Sequence, residues 1–190
     1  METSDTDELA QAGNDPFKTY CALLVSVLAM VLAFNNLGGS NTGKEATMNN
    51  ILASNTYAFF QSKSIRQTEY KLAADRLEFQ LKTDKLNPAT QALLEQKLAD
   101  YKKTIQRYDS EPETGEGKKE LLAKAKSLEE ARDFALQKDP WFDYAEGLLQ
   151  LAIVLTSVAI ITGRRSMFSV AVLLGVIGSF CTLNGYFLFY

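Results

Sequence analysis

The chain has 190 residues, a formal net charge of −3, two cysteines and no histidine. Without histidine the commonest general base and metal ligand is missing, and Cys21 and Cys181 show neither metal-binding nor disulfide-framework spacing. Mild acidity without a basic patch argues against a nucleic-acid partner.

Charge and apolar character fall in separate blocks. No charged residue occurs from Thr19 to Gly43, from Gly147 to Thr162 or from Ser166 to Tyr190. Soluble domains interleave the two at helical period, so the blocks point to an all-α membrane protein. Residues 1–16 read as an acidic tail carrying Glu2, Asp5, Asp7, Glu8 and Asp15. Residues 17–37 are the first expected transmembrane helix, long enough at ~1.5 Å per residue to cross a ~30 Å hydrocarbon layer. A cleaved signal peptide has a basic leader, so the acidic one favours a retained anchor.

Next comes "GGSNTGKEAT", which is close to a phosphate-binding loop. Such a loop follows a β-strand and ends in Ser or Thr, whose hydroxyl ligates magnesium. Here it follows an apolar helix and ends in Glu45, so no nucleotide is expected. Residues 38–43 read instead as a joint, with Gly38 or Gly39 as a left-handed cap and Thr42 with Glu45 as a capping box.

Residues 44–142 carry helical periodicity, with helices expected at about 44–86, 89–109 and 117–139. Neither Gly nor Pro occurs from Glu45 to Leu86. Pro88 marks a new helix start, and Leu94, Leu98, Tyr101, Ile105 and Tyr108 form a coiled-coil seam. "DSEPETGEGK" is a polar loop, after which Leu121, Ala125, Leu128, Ala131 and Ala135 resume the stripe. The first helix would rise ~65 Å and the others ~32 and ~35 Å. One helix out and two in series back therefore close a long antiparallel hairpin, a coiled-coil-like stalk inserted between the first and second spans. Its tip would be Asn87-Pro88.

Residues 143–163 and 166–189 are the second and third expected spans. Trp141, Phe142 and Tyr144 would form one aromatic belt with Tyr186, Phe187, Phe189 and Tyr190. The short loop holding Arg164 and Arg165 belongs in the cytoplasm by the positive-inside rule, which sets the N-terminus there and the stalk opposite. In the third span Ala171, Gly175 and Ser179 recur at small-xxx-small spacing and Gly178 widens the face, for close helix packing. Asn184 is a polar residue inside that span.

The most distinctive block is "ASNTYAFFQSKSIRQTEYKL", residues 53–72. It resembles the signature of a bacterial inner-membrane family catalogued as a domain of unknown function, number 4337. Ala53, Ser54, Ala58, Phe59, Gln61, Lys63 and Ile65 agree with that signature. Asn55 replaces its usual Asp, Tyr57 its Trp, Phe60 its Tyr, Ser62 its Ala and Arg66 its Lys. The resemblance extends over nearly the whole chain and implies three spans and a helical stalk, but no activity.

Leu52, Tyr57, Phe59, Phe60 and Ile65 surround that helix with apolar surface, and a two-helix hairpin cannot cover it all. Leu52, Tyr57, Phe59, Phe60, Gln61, Lys63, Ile65 and Arg66 are therefore the candidate surface for a partner or a second copy. The expected function is a non-catalytic, self-associating scaffold or accessory subunit of a membrane complex, in contact with lipid and with no cofactor. An oligomeric transporter lined by Asn35, Asn36, Ser157 and Asn184 is the alternative. An enzyme would have only Glu129, Glu130 and the carboxylates from Glu111 to Glu116, which read as a solvated face and a loop.

Overall fold

The computed structural model describes residues 16–189. The acidic tail before Pro16, and Tyr190 of the expected belt, lie outside the described residues. The described chain is all-helical, without strands: α1 (Pro16–Thr83), α2 (Pro88–Asp109), α3 (Lys118–Thr162) and α4 (Arg165–Phe187). Three of these, α1, α3 and α4, contain a segment long and apolar enough to cross a membrane. The chain folds as two compact units. A terminal unit combines residues up to Ala46 with those from Phe134 onward, and a central unit comprises Thr47–Asp133.

The expected joint at 38–43 is absent, because α1 runs unbroken for 68 residues. Its glycines adopt no left-handed conformation; among the described glycines only Gly115 and Gly163 have positive φ. Mid-helix glycine costs roughly 1 kcal/mol relative to alanine, and close packing explains its use here. A Cβ on Gly38 would run into the Phe142 ring and lie 2.8 Å from the Tyr186 hydroxyl. Thr42 is a buried residue of the inward face, not a helix cap.

Pro140 lies inside α3, which runs from the central unit's residues into the apolar segment without a break. Proline removes one backbone donor and crowds the preceding turn, yet the helix continues through it.

In the terminal unit Leu28, Leu149 and Ala152 form the core, with Leu24, Val31, Leu32, Ile153 and Leu174 packed around them. The buried residues of α3 are mostly small and alternate at three- and four-residue steps: Ala145, Leu149, Ala152, Thr156 and Ala159. Small side chains let helix backbones approach closely where apolar solvent gives no hydrophobic drive.

In the central unit α1 turns Ala53, Thr56, Phe60, Lys63, Gln67, Tyr70, Ala74 and Leu77 inward, again at alternating steps. The contacts between α1 and α2 run broadly antiparallel. Gln67 Nε2 donates to Ile105 O at 2.9 Å, Tyr70 meets Tyr101 edge-on at 5.4 Å, and Lys102 pairs with Glu78 at 2.6 Å. The same holds for α3, where Arg132 donates to Asn50, Tyr57 to Glu129 and Lys118 to Gln67. Asn87 caps α2 by accepting from Thr90 N at 2.8 Å, where the sequence places the turn.

Candidate functional site

The eight residues expected as one association surface divide between two faces of α1. Leu52, Phe59 and Ile65 are exposed, at 42%, 38% and 62%, and Gln61 and Arg66 are exposed beside them. Tyr57, Phe60 and Lys63 turn toward the other helices of the central unit. Tyr57 donates its hydroxyl to Glu129 Oε2 at 2.9 Å, and this bond is the main cause holding its phenol above the usual tyrosine range. The Lys118 ammonium lies 5.5 Å from the centre of the Phe60 ring.

Lys63 is only 6% exposed. Its ammonium lies 3.2 Å from Glu116 Oε2 and 3.8 Å from Glu111 Oε2. The Phe59 and Tyr108 rings face it at 5.1 and 5.7 Å. Burying an ammonium is costly unless it is paired, and here two carboxylates and two ring faces receive it. The loop after α2 is thereby drawn onto α1. Glu120 fastens the same loop, accepting from the Ser110 hydroxyl at 2.6 Å and from Glu111 N at 3.1 Å. These two bonds, the Ser110 hydroxyl first, hold its carboxyl below the usual range. Glu111, Glu116 and Glu120 thus fasten the loop.

In the terminal unit the small residues of α4 are used within the chain. Ala171 is fully buried, and a Cβ on Gly175 would lie 2.6 Å from Leu28 of α1. A Cβ on Gly178 would lie 2.9 Å from Leu149 of α3, and Ser179 donates to its own Gly175 O at 2.7 Å. Arg164, at the N-cap of α4, and Arg165, its first residue, are exposed just after Gly163 at φ +65°. Phe142 is not part of an exposed aromatic belt: it is 3% exposed and edge-on to Tyr186 at 5.1 Å.

Sequence reasoning missed the polar layer that ties this unit together. Asn35 is 1% exposed. Its Nδ2 donates to Phe142 O at 2.9 Å, and the Thr182 hydroxyl lies 3.0 Å from its Oδ1 and 3.1 Å from Gly178 O. One amide therefore links α1, α3 and α4. The signal was present, since Cys21, Leu28, Asn35 and Thr42 recur every seven residues and all are buried. Asn184 caps its own helix, accepting from Phe189 N at 2.8 Å where Leu188 turns left-handed.

A polar cleft of about 270 Å³ opens beside that layer, with Asn36 and Ser40 facing Asp139, Asp143 and Glu146. Its lining is acidic, but among the described residues no cluster of three or more Asp, Glu, Cys or His is arranged to hold a metal ion.

No curated protein and no solved structure matches the chain. The profile of a family described as Domain of unknown function (DUF4337) matches residues 17–188, which is nearly all of the chain and takes in both units. The chain therefore belongs to that family, domain of unknown function 4337.

Proposed function

We propose that the chain is a three-span membrane protein that works by helix packing, as a self-associating scaffold or accessory subunit of a larger membrane complex, and not by catalysis. In this reading the central unit is an antiparallel helical stalk inserted between the first and second spans. The N-terminus and the Arg164-Arg165 loop lie in the cytoplasm and the stalk on the opposite side, which in a double-membrane bacterium is the periplasm.

One observation carries the reading. The central unit leaves Ile51, Leu52, Phe59, Ile65, Leu72 and Phe79 exposed on α1, outside the apolar segments suited to a membrane. Contiguous apolar surface in water marks an interaction site. Of the polar groups named for a transport path, Asn35 bridges helices and Ser157 donates to Ile153 O, which favours the packing reading. The test is native mass spectrometry of protein extracted gently from its own membranes. A homo-oligomer or a defined complex supports the reading, and a lone monomer refutes it.

A further inference from the structure

The exposed apolar residues of α1 have a strict order. Ile51, Ala58, Ile65, Leu72 and Phe79 recur every seven residues over ~42 Å of helix, and all are exposed. They form a second seam, because α2 and α3 engage α1 through Lys63, Gln67 and Tyr70. A straight helix drifts ~20° per heptad relative to a perfect seven-residue repeat. Only another helix supercoiled with α1 stays on such a stripe along its length, whereas lipid sets no period.

The rims of the stripe indicate which helix it is. Between Leu72 and Phe79, Asp75 lies ~60° to one side and Arg76 ~40° to the other. Both are exposed, and among the described residues neither is in an ion pair. A two-fold axis parallel to α1 exchanges the two sides. It sets each Arg76 against Asp75 of the other molecule, on both flanks and at one height. One heptad earlier the same operation sets Glu69 against Thr68, and two heptads earlier Ser62 against Gln61, in neither case with like charges together.

We propose that the outer seam of α1, from Ile51 to Phe79, is the interface of a parallel, two-fold-symmetric homodimer. An isologous contact needs a patch complementary to itself, and the Asp75/Arg76 rims supply that. The parallel direction rests on the scaffold reading above, in which both copies start from one bilayer and α1 is a single helix.

Ile65→Cys, Leu72→Cys and Phe79→Cys, each in the full chain in its native membrane, test this under mild oxidation. Each variant is expected to give a disulfide-linked dimer, with none from the unmodified chain or from Lys103→Cys on α2. An antiparallel pair along the same seam would cross-link efficiently at its midpoint, Ile65, alone, and that result overturns the proposal. Asp75→Arg sets like charges together on both flanks and is expected to weaken the dimer roughly tenfold, with Asp75→Arg/Arg76→Asp restoring it. Equal dimerisation by all three charge states would also overturn it. If nothing cross-links, native mass distinguishes two failures. Defined heteromeric complexes sink this dimer and leave the scaffold reading intact, while monomers sink both.

Discussion

Asn35 and Gly38 share one short stretch of α1 and do opposite kinds of work. The Asn35 amide meets a carbonyl of α3 and a hydroxyl of α4, so Asn35→Ala removes both links between helices, while the Thr182 hydroxyl keeps Gly178 O. Hydrogen bonds between helices in apolar surroundings contribute about 0.6 to 2 kcal/mol. A loss of about 1 kcal/mol is expected in reversible unfolding of the detergent-solubilised protein, and an unchanged midpoint would assign the packing elsewhere. Gly38→Ala sets two effects against each other. On an open helix face it would stabilise by roughly 1 kcal/mol. Here the new methyl meets the Phe142 ring, whose other side is held near Gly185, where a Cβ would also come within 2.9 Å. The ring cannot withdraw, overpacking costs about 1–3 kcal/mol, and the same unfolding assay is expected to show net destabilisation.

At the scale of elements, the loop between α2 and α3 is held by charge. Lys102 holds the Glu78 carboxyl below its usual range, Lys119 does the same for Asp109, and the Ser110 hydroxyl and Glu111 amide do so for Glu120. A carboxyl depressed in the folded state adds stability above its unfolded value, near 4, and that stability disappears as pH falls through the lower folded value. The central unit is therefore expected to melt at lower temperature as pH drops from about 5 toward 3, followed by circular dichroism of the whole chain. Tyr57 acts in the other direction: its raised value favours the fold below about 10 and fades above it. At neutral pH, Glu120→Gln removes the charged acceptor of two bonds, and hydrogen exchange at residues 110–117 is expected to quicken. Unchanged exchange there would leave Lys63 as the dominant fastener.

For the whole molecule, the division of the candidate surface gives a paired prediction. Phe59 is exposed and Phe60, its neighbour, is half-buried within the central unit. Phe59→Glu replaces one ring beside Lys63 with a carboxylate that can pair with it, and is expected to reduce assembly in native mass spectrometry while leaving membrane insertion unchanged and melting little altered. Phe60→Glu sets a carboxylate in the inner seam and is expected to lower the melting temperature, at a cost of about 1–3 kcal/mol. If both lower stability alike and neither alters assembly, the outer face of α1 is not a contact surface.

Segregated apolar blocks, the scarcity of breakers and the Asn87-Pro88 turn fixed the all-helical fold and three membrane-compatible segments, because they are local properties read at helical period. The block from Ala53 to Leu72 sufficed for the family. Residues that serve distant partners were harder to read. Gly38, Gly39 and Thr42 looked like helix ends, since glycine and threonine carry that meaning locally. Only the close approach of Phe142 to α1 shows why glycines stand inside an unbroken helix. Likewise Phe59 and Phe60 are alike in sequence, and tertiary packing alone turns one outward and the other in. Local propensity is encoded residue by residue, whereas burial depends on which helix occupies the facing side.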